Sequence, residues 1–120
     1  EYLGRRIDKK FLREVKNLGD DITLTCHFHN TYGLGIANLY AASISGVDIF
    51  ETSIGGLGGC PFTKVASGNV CTEDLIHALQ RNGSHNKIDV NQLIEISKYL
   101  SSFFEKELPG YVYKVGKIDY

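Results

Sequence analysis

Thr25-Cys26-His27-Phe28-His29-Asn30-Thr31-Tyr32-Gly33 carries the pair of side chains in this chain best suited to chemistry. The segment ends an alternating apolar run, the sign of a β-strand. Side chains two apart on a strand leave from the same face. His27 and His29 therefore project together, where two imidazoles can grip one cation. Ile22, Leu24, Cys26 and Phe28 take the opposite, apolar face. The same triplet also fits two histidines that end a strand and hydrogen-bond to their neighbours, since short motifs are easily matched by chance.

A second candidate is Gly55-Gly56-Leu57-Gly58-Gly59-Cys60-Pro61. Glycines this dense suit a loop whose backbone must come close to a ligand or move as a lid. A phosphate cradle is conceivable, but no Lys-Ser/Thr pair follows and the spacing is not that of a dinucleotide fingerprint. Taken alone, the stretch fits a flexible surface loop better. Cys60 differs from Cys26 and Cys71, which read as small buried hydrophobes. Among glycines and before a proline it has little to pack against. Acid–base or nucleophilic work suits it better, although no neighbour in sequence would lower its pKa. Asn69 offers an amide oxygen, although for a lone Asn a turn residue satisfying local backbone is the better explanation. Asn30 and Asn38 admit the same two readings.

These groups need elements to hold them. Asp8 can cap a first helix, with Phe11, Leu12 and Val15 on one face and Gly19 at its end. A strand over residues 22–29 follows. A second helix opens at Gly33, with Ala37, Tyr40, Ala41 and Ile44 as its apolar stripe, and stops at Gly46. Small residues such as Gly35, Ala37, Ala41 and Ala42 let that helix lie close to a sheet. A second strand covers residues 47–53 and runs into the glycine loop. Thr72 caps a third helix, with Glu73 and Asp74 favouring the positive end of its macrodipole and Leu75, Ile76 and Leu79 inward, until Gly83. Asp89 and Gln92 open a fourth helix, with Leu93, Ile96, Leu100 and Phe103 or Phe104 on its buried face until Pro109-Gly110. Residues 111–120 alternate weakly and receive no assignment.

Helices alternating with strands build parallel sheets through right-handed crossovers. In such folds functional groups gather at the carboxyl ends of the strands. His27, His29, the glycine loop and Cys60 all lie just past strand ends, which argues for one site.

The chain has 120 residues, enough for one ordinary domain, and its 42% hydrophobic content supports a core. Its net charge of −1 gives no basic domain for nucleic acid. Three cysteines without paired spacing argue against a disulfide framework and for a reduced compartment. No apolar run reaches membrane-spanning length and the start does not read as a signal peptide. The expected setting is soluble and cytoplasmic, with no membrane or nucleic-acid partner.

His27-Phe28-His29-Asn30-Thr31-Tyr32-Gly33, Gly56-Leu57-Gly58-Gly59-Cys60-Pro61, Ala66-Ser67-Gly68-Asn69 and Thr72-Glu73-Asp74 together resemble hydroxymethylglutaryl-CoA lyase. That family belongs to a metal-dependent lyase and acyl-transferase superfamily built on a (β/α)8 barrel. The resemblance runs in unbroken order over about residues 22–100. The His-x-His element is shared across the superfamily. The Gly-Gly-Cys-Pro loop is specific to the lyase branch, and Claisen-type synthases carry an Arg-containing sequence there.

The resemblance implies a fold class: α/β, the carboxy-terminal part of a (β/α)8 TIM barrel, with strands seven and eight, their helices and the helix that follows. Residues 1–110 would form this partial barrel domain, and residues 111–120 a tail. It implies that His27, His29 and Asn69 bind a divalent cation, Mg²⁺ or Mn²⁺. Gly56, Gly58 and Gly59 would form the substrate loop and Cys60 would be its catalytic cysteine. The implied reaction cleaves a 3-hydroxy-3-methylacyl-CoA to acetyl-CoA and a ketoacid, acetoacetate for the parent substrate.

Two departures stand out. Asn30 occupies a position where this branch usually has Asp. The chain also lacks the first barrel strand, which in the family brings an Arg and a metal-binding Asp, and a full barrel needs about 250 residues. Three readings follow. The chain is the carboxy-terminal part of a lyase completed by the rest of the barrel; or a non-enzymatic module keeping the fold; or a small enzyme with a site between subunits. A related synthase or aldolase is the alternative within the enzyme class. Strands without neighbours invite pairing with another chain, so the expected partners are acyl-CoA and either a second copy or the missing barrel half.

Overall fold

The computed structural model describes residues 9–19, 21–59, 68–84 and 86–119. The expected cap Asp8 and the candidate catalytic Cys60 lie outside the described residues. In chain order the elements are α1 (Lys9–Lys16), β1 (Thr25–His27), α2 (Gly35–Ser45), β2 (Ile49–Glu51), a 3₁₀ turn (Ile54–Gly56), α3 (Thr72–Arg81), α4 (Val90–Phe103) and α5 (Val112–Val115).

β1 and β2 pair in parallel, with Thr25 opposite Ile49, Cys26 opposite Phe50 and His27 opposite Glu51. A parallel pair needs a crossover, and α2 supplies it. Both strands are shorter than the alternation predicts. Beyond His27 the chain leaves β2 and bonds instead to residues 68–70. The Val70 N–H donates to the Phe28 carbonyl at 3.1 Å and the Asn30 N–H to the Gly68 carbonyl at 3.1 Å. The same segment closes onto the end of β2, where the Ser53 N–H donates to Val70 at 3.0 Å and the Thr72 N–H to Ser53 at 2.9 Å. Residues 68–71 thus wedge between the two strand ends, antiparallel at His29–Asn69 and parallel at Ser53–Cys71.

α2 begins two residues after Gly33, which instead turns with a φ of +71°. The Asn30 side chain accepts the Gly35 N–H at 2.9 Å and so satisfies the first turn of the helix. Asn in place of Asp therefore still performs a capping bond here. Gly46 ends the helix in the left-handed region, φ +105°, its N–H returning to Ala42 and Ser43. The buried stripe is Gly35, Leu39 and Ala42, a rotation from the expected one, and Ile44 points to solvent. Gly35 explains the rotation: a Cβ there would stand 2.6 Å from Val70 Cγ2, so this face approaches the sheet most closely.

Two apolar clusters result. One joins Cys26, Phe28, Leu39, Ala42, Val47, Val70 and Leu75 around the strands. The other joins Ile76, Val90, Ile94, Leu108, Val112 and Tyr113 among α3, α4 and α5. Leu79 packs against both. α4 is capped by Asp89, which accepts the Asn91 N–H at 2.9 Å. Leu93 and Leu100 face inward as the periodicity predicts, whereas Ile96, Phe103 and Phe104 are exposed.

Ser97 takes the buried position instead. It is fully buried and donates to Glu73 Oε1 at 2.6 Å. Glu73 is also fully buried, and its Oε2 accepts the Gly55 N–H at 3.0 Å. The macrodipole argument accounts for Glu73 and Asp74 only as carboxylates in the first turn of a helix. Both are in addition buried connectors. Asp74 receives the N–H groups of Tyr111 and Val112, the latter at 2.7 Å, and so fixes the start of α5.

Candidate metal and loop site

The alternation that makes β1 sets His27 on the face opposite buried Cys26, and the wedge at residues 68–71 brings Asn69 beside His29. Three polar atoms converge. His27 Nε2 lies 3.2 Å from His29 Nε2 and 3.1 Å from Asn69 Oδ1. The two rings meet edge to face, centroids 5.1 Å apart. All three atoms carry lone pairs in some protonation state, so a proton or a cation is needed among them.

The spacing fits a cation. Two ligand atoms at right angles around an ion held at about 2.1 Å stand about 3.0 Å apart. His29 Nδ1, the ring nitrogen away from the converging atoms, is buried and has no hydrogen-bond partner among the described residues. Two imidazoles and an amide make a weak set for Mg²⁺ alone and a better one for Zn²⁺ or Ni²⁺. Among the described residues no cluster of three or more His, Cys, Asp or Glu side chains could hold a metal. His27, His29 and Asn69 are thus an incomplete but fitting donor set.

Two supporting contacts are not evident in sequence. Glu51 Oε2 stands 3.4 Å from His27 Nδ1, on the far side of the ring from Asn69. A carboxylate there favours a proton on Nδ1 and leaves the Nε2 lone pair free. The contact follows from the register that pairs His27 with Glu51, which required knowing that the strands are adjacent and parallel. The Asn69 Nδ2 group donates to the Leu57 carbonyl at 3.0 Å, tying this residue to the glycine loop.

Gly56 and Gly58 lie beside Asn69, with φ of +70° and +107° respectively. Gly59 follows them and is exposed. A Cβ on Gly56 would stand 3.2 Å from the Asn69 carbonyl, and one on Gly58 would stand 2.7 Å from Asn69 Nδ2. The loop backbone therefore packs against Asn69, on the Nδ2 side of its amide.

Cys26 and Cys71 are both buried and free. Burial holds the Cys26 thiol above its ordinary pKa. Cys71 is pushed far higher, first by burial and then by its hydrogen bond to Glu73. Neither is a reactive thiolate. Among the described residues no helix is long and apolar enough to cross a membrane.

Parallel strands joined through a helix, with polar groups assembled past their carboxyl ends, define an α/β protein of the kind that binds ligands at that edge. The sequence profile of the HMGL-like family matches residues 4–100, and the chain belongs to that family. It is 42% identical over 98 residues to (R)-citramalyl-CoA lyase of Chloroflexus aurantiacus, covering 82% of this chain and 31% of that protein. It is 45% identical over 78 residues to the mitochondrial hydroxymethylglutaryl-CoA lyase of Arabidopsis thaliana, covering 65% of this chain and 17% of that one. A solved HMG-CoA lyase from A. baumannii, in complex with coenzyme A and 3-methylmalate, superposes with a TM-score of 0.83 at 39% identity. That match covers 97% of this chain and 38% of the solved one. The fold is thus α/β and similar to that of HMG-CoA lyase, and the chain spans between 17% and 38% of the length of these relatives.

Proposed function

We infer that this chain is the cation-binding and loop-bearing portion of a carbon–carbon lyase of the hydroxymethylglutaryl-CoA lyase type. In this reading β1 and β2 are the seventh and eighth strands of the barrel. The substrate is a 3-hydroxy-3-methylacyl-CoA, and the products are acetyl-CoA and a ketoacid. The observation that carries the reading is the convergence of His27 Nε2, His29 Nε2 and Asn69 Oδ1 beside the root of the glycine loop.

His27, His29 and Asn69 would hold the cation, Mg²⁺ or Mn²⁺, together with donors from the rest of the barrel. Bound there, a divalent cation supplies polarisation of substrate oxygens and offsets the negative charge that develops as the bond breaks. Glu51 keeps His27 in the orientation and tautomer that presents Nε2. Gly56, Gly58 and Gly59 let the loop backbone approach the thioester end of the substrate. Cys60 handles a proton: the 3-hydroxyl loses one as the C2–C3 bond breaks, and the acetyl carbon gains one.

A chimaera tests this. Residues 4–100 replace the matching segment of the Arabidopsis relative, and acetyl-CoA release is followed from HMG-CoA and from citramalyl-CoA with and without Mg²⁺ or Mn²⁺. The chimaera is expected to cleave one of them in a cation-dependent way. Cys60→Ala in it is expected to lower turnover about 10²–10⁴-fold, the usual worth of a positioned acid or base, with metal content intact. A folded chimaera that holds its metal and cleaves neither acyl-CoA would contradict the reading. The 120-residue chain alone is expected to be inert, because it lacks the Arg and Asp of the first strand.

A further inference from the structure

The Asn69 amide has two ends, and what each faces decides whether it can be a ligand. A backbone carbonyl can only accept a hydrogen bond. The Leu57 carbonyl, 3.0 Å away, therefore requires the amide nitrogen. That leaves Oδ1, the only atom of the amide able to bind a cation, turned towards His27 Nε2 at 3.1 Å. Without the Leu57 carbonyl an amide rotated by 180° would present N–H groups to His27 Nε2 and repel a cation.

Gly58 completes the restraint. Its φ of +107° places the backbone against the amide, and a Cβ would stand 2.7 Å from Nδ2. The amide is thus confined on one side by loop backbone and on the other by the histidines. Leu57 is itself held in place. Its N–H donates to Ile54 at 3.1 Å and the Gly56 N–H donates to Ser53 at 3.0 Å. Gly55 is fixed through Glu73 and through the Gly110 N–H, which donates to the Gly55 carbonyl at 3.0 Å.

We propose that Leu57 and Gly58 are positioning residues for the cation: the loop backbone selects the oxygen of Asn69 as a donor, so that cation binding and order at the loop root are linked. The proposal rests on the assignment of His27, His29 and Asn69 as ligands. Linkage is reciprocal: if the ordered loop root favours the bound cation, the cation must favour the ordered loop root.

Ni²⁺ is a suitable probe because imidazole donors bind it measurably without the missing carboxylate. Calorimetric titration of the protein with Ni²⁺ is expected to show at least about tenfold weaker binding in Gly58→Ala, in the range found when an outer-shell support is removed. Gly83→Ala is the control. It places Ala at a comparable φ of +84° with nothing within 4 Å, so it imposes the same backbone strain away from the site. It is expected to bind Ni²⁺ as the unaltered protein does. In the unaltered protein, Ni²⁺ is expected to slow amide hydrogen exchange at Gly56 and Leu57, and His29→Ala is expected to abolish that effect. The exchange measurement needs no Gly58 variant, so it decides the matter even if that variant does not fold. Unchanged Ni²⁺ affinity in Gly58→Ala, with binding lost in His29→Ala, overturns the positioning role and leaves the ligand assignment standing. So does Ni²⁺ binding that leaves exchange at Gly56 and Leu57 unaltered. Binding unaffected by His29→Ala overturns both.

Discussion

Gly68→Ala is expected to prevent this protein from reaching its native state. A Cβ on Gly68 would stand 1.7 Å from the Gly56 carbonyl oxygen and 2.9 Å from its carbon. Both are backbone atoms, and Gly56 is bonded through its own N–H to Ser53. Pro109 closes the other side, its Cγ 3.1 Å from the same point. Relief requires separating the two arms of the glycine loop, which would also draw Asn69 from His29. The cost should exceed about 4 kcal/mol, at the far end of single substitutions. Circular dichroism with a urea titration reads the outcome directly. A Gly68→Ala protein with an unaltered unfolding midpoint would show that the loop root is not closed in this way.

Glu73→Ala is expected to lower the free energy of unfolding by roughly 3–5 kcal/mol, the sum of buried donors left unpaired and the cavity created. Three elements meet at this carboxylate: the 3₁₀ turn through the Gly55 N–H, α4 through Ser97, and the thiol of Cys71. Its loss frees the turn from which the glycine loop leaves. Glu95→Ala is the contrast. Glu95 is exposed and pairs with Lys98 at 3.0 Å, a surface ion pair worth well under about 1 kcal/mol. Denaturant midpoints for the two variants should therefore differ clearly. Equal midpoints would mean that Glu73 is not the connector described.

Sequence alone carried the presence of both strands because alternation is local: His27 and His29 share a face by the geometry of two residues. It also carried α4 through the Asp89 cap, and α1 and α3 through their apolar periodicity; Thr72 does not cap α3, because Cys71 is the N-cap and the Thr72 hydroxyl bonds that of Thr52. It failed where the deciding partner is distant. The apolar residues of α4 allow two overlapping stripes, one through Ile96 and Phe103, the other through Val90, Ile94 and Ser97. The second wins because buried Glu73, far along the chain, needs a donor. Likewise Ile44 looked like core, yet the close approach of Gly35 to Val70 turned α2 away from it. Strand lengths were overestimated because residues 68–71 take the hydrogen bonds that a longer ladder would have used.

The candidate site divides the same way. The His-x-His pair needed only a strand. Asn69 lies 42 residues from His27; its amide oxygen was visible in sequence, but only the resemblance to a known family joined it to the histidines before the fold did. Glu51 and the Leu57 carbonyl gave no signal of their own: one depends on strand register, the other is backbone. A reading that paired every polar group near a strand end with its opposite number would have found Glu51.

The most direct measurement is a crystal of this protein soaked in Ni²⁺, which imidazole donors hold without a carboxylate, with anomalous diffraction collected at the nickel edge. The account predicts one anomalous peak within bonding distance of His27 Nε2, His29 Nε2 and Asn69 Oδ1. A peak elsewhere with these three side chains unliganded, or the same peak in a His29→Ala crystal, would contradict it.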